Sequence, residues 1–385
     1  MRNYVRRLKL ERGAPSERYL DLDWAPGEAQ ADFGEADFYV GGVRTRMSFF
    51  VLAFPYSNVG IAQVFPGENA ECVCQALRNI FEHVAGVPRR IVFDNAAGVG
   101  RRVGEAVRAT EMFSAFAAHY GFAYSFCNPH AGHEKGSVEN KVGYVRANLF
   151  VPVPSLSSPA AFNVRLLERS MALSDKPHWA KGESELQLFV EDRFAMSGLP
   201  PAPFAAVRYE VRKADKLGKV RVDGPHLYSS DPSLAGRELV CGIGATTVTL
   251  ATRDGAVVAE HPRAYGSAPT DTTDPASQLA LLCARPGAWS NSKVRSALPD
   301  GLRGHMDSLA KADLKAELRL MRDQAAESGW AATVQAMAAA LAATGRVDRA
   351  SVAVGAARIA GGAVSYDEAV DLSAYDSALA SARGR

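Results

Sequence analysis

Long apolar runs are absent from this 385-residue sequence. No stretch reaches the roughly 18 consecutive apolar residues that a membrane-spanning helix needs, and no secretory signal peptide is visible. We therefore expect a protein that does not enter the membrane and that works in the cytoplasm. Cysteine is scarce as well: the five cysteines are odd in number and scattered. That distribution excludes a disulfide framework and favours reduced thiols.

Metal and nucleotide motifs of common enzymes are also missing. His130 and His133 are not part of a His-Glu-x-x-His pattern, and no cysteine pair has zinc-finger spacing, so zinc is not expected. Gly98, Gly100 and Gly104 do not have the spacing of a dinucleotide-binding fingerprint. The sequence therefore predicts neither a zinc enzyme nor a nicotinamide- or flavin-dependent one.

A large excess of charge of either sign is lacking, since the formal net charge is only +2. Distribution matters more than the sum, however, because basic residues concentrate within residues 1–18 and 208–221. These clusters are either phosphate-binding patches or ordinary solvated surface. We favour phosphate binding and predict DNA contacts at Arg212, Lys213, Lys216 and Lys219.

Three acidic residues follow one another in contexts that favour metal chemistry. Asp32 opens a strand-rich stretch, Asp94 closes the short apolar strand 91–93, and Glu139 lies in a predicted helix. Mg²⁺ prefers carboxylate oxygens, and a pair of such ions can flank one scissile phosphate. The order of the three acids therefore indicates phosphoryl transfer, although an isolated acid at any one of these places is more often a cap or a solvated side chain.

The segment around these acids alternates strands and helices. Apolar periodicity and turn residues predict strands at 36–40, 44–54, 59–65, 91–93 and 122–127, and helices at 68–85, 110–120 and about 134–148. On the last helix Lys135, Glu139 and Arg146 are four and seven residues apart and share one broad face. Cations on both sides of a carboxylate suit a phosphate substrate.

At this point a family resemblance is plain. Residues 24–150 resemble the integrase core of DDE transposases, and the whole chain resembles the IstA-type transposase of two-gene insertion sequences. The matching segments are Pro26–Gly34, Phe93–Asn95, Ala118–Phe122 and Gly132–Asn140. The resemblance implies an α/β, RNase H-like core with a mixed five-stranded sheet and helices, followed by a small β-barrel and an α-helical C-terminal region.

By this resemblance Asp32, Asp94 and Glu139 are the catalytic triad that binds Mg²⁺, with Mn²⁺ as a possible substitute. Glu134 is the nearest rival for the third position, but it precedes the Gly-x-Val-Glu pattern of the family. Glu35 and Asp37 are rivals of Asp32 but lie outside the Gln-x-Asp-aromatic-Gly context. Further DNA contacts within the core are predicted at Asn95, Arg101, Arg102, Lys135, Lys141 and Arg146.

Composition divides the chain into five parts: a basic segment (1–23), the catalytic core (24–150), a helical connector with a Pro-rich linker (151–203), the barrel (204–268) and the helical region (269–385), whose last residues from 361 are expected to be disordered. The family begins with helix-turn-helix segments ahead of its core. Only about 25 residues stand there in this sequence, so we expect a truncated copy, a fragment, or a form that relies on other elements to find its ends.

The resemblance implies Mg²⁺-dependent cleavage at transposon ends and joining of the freed 3′ hydroxyl to target DNA. It also implies a homo-multimer on DNA and an AAA+ ATPase partner of the IstB type. Two alternatives stay open: a DNA-binding relic without activity, and an RNase H-like nuclease that cuts but does not join.

Overall fold

The computed structural model describes residues 24–93, 98–103, 106–127, 132–156 and 158–361, and the side chains of all of these except 101–103, 106 and 132–139. Within these ranges no helix has both the length and the apolar character required to cross a bilayer. Contacts divide the chain into two compact units. The first comprises residues up to 211 together with 240–267, and the second comprises 212–239 and the residues from 268 onward.

The first unit is built on a mixed sheet. Three antiparallel strands, β1, β2 and β3, are joined along β1 by two parallel strands, β4 and β7, in the order β3-β2-β1-β4-β7. Their bounds are Glu28–Val40, Val43–Phe54, Val59–Phe65, Arg90–Phe93 and Ala123–Phe126. The predicted five-stranded sheet is thereby confirmed, and this order and orientation of strands is the RNase H-like topology. A sixth short strand, β8 (Ser155–Leu156), pairs with the far end of β1 and was not predicted.

A two-stranded hairpin was also missed by the sequence analysis. Strands β5 (Gly100–Val103) and β6 (Ala106–Ala109) pair antiparallel in the glycine- and arginine-containing segment after Asp94. Val99, at the base of the hairpin, is completely buried in the core. The basic segment after Asp94 is therefore anchored at one end.

Helices cover both faces of the sheet. On one face Phe50 and Leu52 pack with α1 (Ala70–Val84) and α2 (Glu111–Tyr120). On the other face Phe38 and Phe49 pack with α3 (Gly132–Leu149) and α4 (Pro159–Ala172). Burial of both faces explains why β2 and β3 are nearly continuous apolar runs, and it makes the sheet a rigid support for residues on its strands.

Capping residues set the limits of these helices. The Asn69 side chain accepts a hydrogen bond from the Cys72 amide at the start of α1, and Thr110 does the same for Phe113 at the start of α2. The segment 159–196, predicted to be helical throughout, consists of α4 and a separate α5 (Glu185–Ala195). A capping box of Ser184 and Gln187 begins α5.

The strands predicted between 204 and 268 are present and form two small sheets. Strands β14-β13-β12-β9 form a four-stranded sheet that belongs mostly to the first unit, although the end of β9 and the start of β12 are assigned to the second. Strands β10-β11-β15 form a three-stranded sheet in the second unit. The bounds of these strands, from β9 to β15, are Arg208–Lys213, Lys219–Val222, His226–Ser229, Glu238–Ile243, Thr247–Ala251, Val257–Pro262 and Thr270–Thr272. Closure into one barrel stays a prediction.

The second unit continues with helices α6 to α11. Their bounds are Leu279–Ala284, Lys293–Ser296, Asp300–Ser308, Lys311–Ser328, Trp330–Thr344 and Arg349–Ala360. Leu314, Leu318 and Met321 of α9 are buried in the core of this bundle. The stripe that these residues form is therefore a core face, as the sequence had favoured over a docking face. The tail predicted to be disordered lies outside the described residues, except Gly361.

Candidate active site

Strand register places the residues that precede the first two acids side by side. β1 and β4 are parallel neighbours, and Ala31 pairs with Phe93. Asp32 directly follows Ala31 in the sequence, and Asp94 directly follows Phe93. The last paired residue of β4 therefore lies next to the residue that precedes Asp32. The Asp32 carboxylate is half-buried, and its Oδ1 accepts a hydrogen bond from the Phe33 amide at 2.7 Å. Asp94 itself lies outside the described residues.

The helix that contains Glu139 packs against the same part of β1. At Gly34 an added Cβ would lie 2.6 Å from Cγ1 of Val142, so the backbone of β1 and the side chains of α3 are in close contact there. Farther along both elements, Phe38 of β1 and Phe150 make an edge contact with ring centroids 5.1 Å apart. The second contact lies farther toward the C-terminal end of both elements than the first, so α3 runs parallel to β1.

This alignment brings Glu139 to the level of Asp32. Asp32 lies two residues before Gly34 on the same face of β1, which is about 6.6 Å of strand. Glu139 lies one turn before Val142 on the same side of α3, which is about 4.5 Å of helix. The side chain of Glu139 is not among those that the structure describes. The convergence of the triad is therefore inferred from backbone positions and stays a prediction.

Three carboxylates that met beside the central strand β1 would fit a site for Mg²⁺, because a hard cation selects such oxygens. Among the side chains that the structure describes, no group of three or more His, Cys, Asp or Glu could hold a metal ion. Only Asp32 of the triad is among those side chains. The absence of such a group therefore does not apply to Asp94 or Glu139, whose side chains are not described.

Predicted DNA contacts near the triad are located as follows. Asn95 lies outside the described residues, and Lys135 lies on α3 without a described side chain. Arg101 and Arg102 are in β5, and Arg101 is directly opposite Arg108 of β6. The Arg146 side chain is exposed, with its guanidinium 5.8 Å from the centre of the Phe49 ring.

Arg108 was not predicted, although the sequence contained a signal for it. Like charges directly opposite each other in a two-stranded ladder destabilise it, so the Arg101–Arg108 pair favours the presence of an anion. Recognising the pair required the hairpin register, which was not predicted from the glycine-rich sequence.

Lys141 does not fit its prediction as a DNA contact. Its side chain is only 8% exposed, its Nζ donates a hydrogen bond to the carbonyl oxygen of Asn58, and that Nζ lies 3.9 Å from Oε2 of Glu185. Burial lowers the pKa of Lys141 to about 8 and raises the pKa of Glu185. Both directions mean that loss of hydration outweighs the attraction between the two groups.

Sequence reasoning missed Glu185, which is the centre of this cluster. Its carboxylate is 1% exposed and accepts a hydrogen bond of 2.6 Å from Nδ2 of Asn58, while Nζ of Lys176 lies 3.6 Å away. A glutamate at the start of a helix is usually solvated and interacts with the helix dipole. Nothing in the local sequence distinguishes it from that common case.

The basic cluster of residues 208–221 is only partly available to DNA. Arg212, Lys213 and Lys216 are exposed. Lys219 is buried, and its Nζ donates hydrogen bonds of 2.8 and 2.7 Å to the two carboxylate oxygens of Asp271. The prediction of a DNA contact at Lys219 is not supported by this geometry, because its charge is compensated within the protein.

Comparison with known proteins agrees with the topology and the motifs. The family described as Mu transposase, C-terminal domain, matches residues 199–273. The transposase for insertion sequences IS1326/IS1353 of Pseudomonas aeruginosa is 28% identical over 293 residues, which are 74% of this chain and 57% of that protein. The transposase for insertion sequence element IS21 of Pseudomonas aeruginosa is 25% identical over 226 residues, 58% of each chain. The chain thus spans little more than half the length of these curated relatives.

Among solved structures, the catalytic core domain of BIV integrase aligns with 44% of this chain and 97% of its own, at 14% identity and a TM-score of 0.33. A likeness at that TM-score adds no weight, and the fold is established by the strand order instead. The transposases named above extend over both the core and the region beyond it. The chain is similar in sequence to insertion-sequence transposases of the IstA type.

Proposed function

We propose that this chain catalyses Mg²⁺-dependent cleavage at transposon ends and strand transfer into target DNA. One observation supports the proposal most strongly: Ala31 pairs with Phe93 and Gly34 contacts Val142, so residues that neighbour positions 32, 94 and 139 in the sequence lie close together along β1. The sequence places a carboxylate at each of the three positions.

Asp32, Asp94 and Glu139 would hold the divalent ions, which when bound activate the attacking oxygen and stabilise the leaving one. A water oxygen attacks the phosphorus at the transposon end, the bond to the 3′ oxygen breaks, and that oxygen leaves as a 3′ hydroxyl. The hydroxyl then attacks a target phosphodiester in the same manner. No covalent bond between protein and DNA forms in either step.

Cations on α3, on the β5–β6 hairpin and in the 208–221 cluster would bind the DNA backbone. Arg146 lies about two turns beyond Glu139 on α3, and Arg101, Arg102 and Arg108 lie on the hairpin that follows Asp94. Arg212, Lys213 and Lys216 offer additional charge within the region that matches the Mu transposase C-terminal domain. Each neutralised phosphate releases counterions, so we expect binding that weakens steeply with salt.

We further propose a homo-multimer that bridges two transposon ends, an ATPase partner of the IstB type, and the cytoplasm as compartment. The support for these is the family itself.

Labelled transposon ends incubated with the protein and Mg²⁺ test the function. Joined products support a transposase, cleavage without joining indicates the nuclease alternative, and DNA retention without products indicates the relic. Asp32→Asn should reduce product formation by at least about a thousandfold, because the metal-dependent stabilisation of the transition state is lost. DNA retention by that variant should stay unchanged.

A further inference from the structure

We propose that Lys141, Glu185 and Asn58 form a clamp that positions α3, and with it Glu139, for metal binding. The inference rests on the proposed function and adds positioning residues to it. None of the three needs to touch DNA or metal in order to act. They hold the helix that contains the third carboxylate.

The contacts of Lys141 fix α3 against the turn between β2 and β3. Lys141 lies two residues after Glu139, which is about 3 Å along the helix axis. Its ammonium bonds the carbonyl oxygen of Asn58 in that turn. Its aliphatic stem lies over Gly60, where an added Cβ would be 2.6 Å from both Cγ and Cδ of the lysine. Glycine at position 60 therefore provides the space that the lysine stem occupies.

Glu185 connects the same turn to the connector helix α5. Its carboxylate accepts a hydrogen bond from Asn58 and is paired with Lys141 and Lys176. The Lys176 ammonium lies 3.7 Å from the centre of the Tyr144 ring, which is the next turn of α3. α5 and the segment before it thus contact α3 at two successive turns, both downstream of Glu139.

A buried ion pair is a weak way to gain stability, because desolvation opposes the attraction, but it accepts only a narrow range of geometries. Apolar packing of Val142 and Val145 holds α3 on the sheet and permits small sliding motions. The buried Lys141 ammonium does not permit them without loss of its hydrogen bond to Asn58 and of its ion pair with Glu185. The clamp therefore fixes the helix along its axis, the direction that determines the level of Glu139 relative to Asp32.

A pair of glycine substitutions tests the clamp without altering any charge. Gly60→Ala displaces the Lys141 stem, whereas Gly143→Ala, on the same helix and with nothing within 4 Å of the added Cβ, is the matched control. Mn²⁺ affinity of the free protein, kcat and KM for strand transfer, and thermal stability are measured for each. Outer-shell substitutions typically weaken metal binding by about 10–100-fold.

We expect Gly60→Ala to lower Mn²⁺ affinity and kcat by at least about tenfold, with KM for DNA within about twofold of the parent. Gly143→Ala should leave all three unchanged. The double variant Lys141→Met with Glu185→Gln removes both charges together and should likewise lower Mn²⁺ affinity and kcat. It serves as the test if Gly60→Ala folds poorly. Parental Mn²⁺ affinity in a folded variant of either kind would overturn the clamp. The metal readout does not depend on joining, so it stays decisive even if the parent protein proves inactive.

Discussion

At the scale of single residues, Gly34 determines how closely α3 approaches the strand that carries Asp32. An added Cβ would lie 2.5 Å from Cζ of Phe49 as well as 2.6 Å from Val142. Neither neighbour is the free end of a flexible side chain, because both are packed in the core. The close approach is the reason why a glycine follows the Asp-Phe pair in this position.

Gly34→Ala should therefore destabilise the protein by about 1–3 kcal/mol, the usual range for overpacking, and should reduce strand transfer because α3 is pushed away from β1. Gly143→Ala is the control and should be neutral or stabilising by up to about 1 kcal/mol, since glycine is the poorer helix former. Urea unfolding and the joining assay measure both effects. Unchanged stability of Gly34→Ala would show that the sheet and helix are not in the contact described.

The triad stays a prediction, and its support in the sequence is that each acid stands in a motif of the family that the chain resembles. Lys141 shows the limit of that approach. It follows Glu139 in the same motif, yet its ammonium is buried by a turn and a helix that are distant in sequence. Burial of this kind depends on tertiary contacts that no local pattern contains.

At the scale of elements, α1 is joined to the four-stranded sheet by a buried ion-pair cluster. Oε1 of Glu71 accepts a hydrogen bond of 2.8 Å from Nε of Arg208, and its Oε2 lies 3.6 Å from Nη1 of Arg263. Glu71 and Arg263 are only 5% and 4% exposed. Arg208 lies in β9 and Arg263 directly follows β14, so this cluster determines how that sheet packs on the core within the first unit.

Glu71→Ala should destabilise the first unit by about 3–5 kcal/mol, because Arg263 is left buried without its carboxylate partner. Glu82→Ala on the same helix removes only a partly exposed pair with Arg78 and should change stability by less than about 1 kcal/mol. Denaturant unfolding compares the two. An equal loss of stability in the two variants would mean that the buried cluster stabilises the protein no more than the exposed pair does.

The sequence predicted the order of core elements well because both faces of the sheet are buried and its helices carry clear caps. Elements without a buried stripe were predicted poorly. The β5–β6 hairpin has glycines and arginines instead of alternating apolar residues, and β8 consists of two residues. The gap between α4 and α5 contains Pro177 and Gly182, and Trp179 within it is 84% exposed.

At the scale of the whole molecule, the chain crosses between its two units more than once, since 240–267 return to the first unit after 212–239 have joined the second. Sequence proximity had suggested one barrel domain for 204–268. Strand pairing between distant segments, such as His226 with Thr270, cannot be recognised from local alternation. The division of this region is therefore a property of tertiary structure alone.

Stability of the second unit should depend on acid pH through Asp271. Burial alone would raise the pKa of this carboxyl, but hydrogen bonds from Lys219 and Lys293 hold the pKa well below its ordinary value of 3.8. A carboxyl with a depressed folded pKa stabilises above its unfolded pKa, and that contribution is lost as the pH falls below 3.8 towards the folded value.

Asp271→Asn should therefore destabilise the protein at pH 7 by about 1.5–3 kcal/mol, and the difference from the parent should shrink as the pH falls below 4. Asp300→Asn, which affects a pair whose carboxylate is 92% exposed, should have no measurable effect at either pH. Thermal unfolding across pH 3–7 follows both variants. A difference that stays constant with pH would contradict an ionic origin.

The proposed function depends on three carboxylates that share one metal site. Mn²⁺ binding to the parent and to Asp32→Asn, Asp94→Asn and Glu139→Gln, with exposed Glu35→Gln as control, measures this directly. Each triad variant should weaken binding at the same site by at least about tenfold, and Glu35→Gln should bind as the parent does. Full Mn²⁺ affinity in any one of the three triad variants would contradict the shared site.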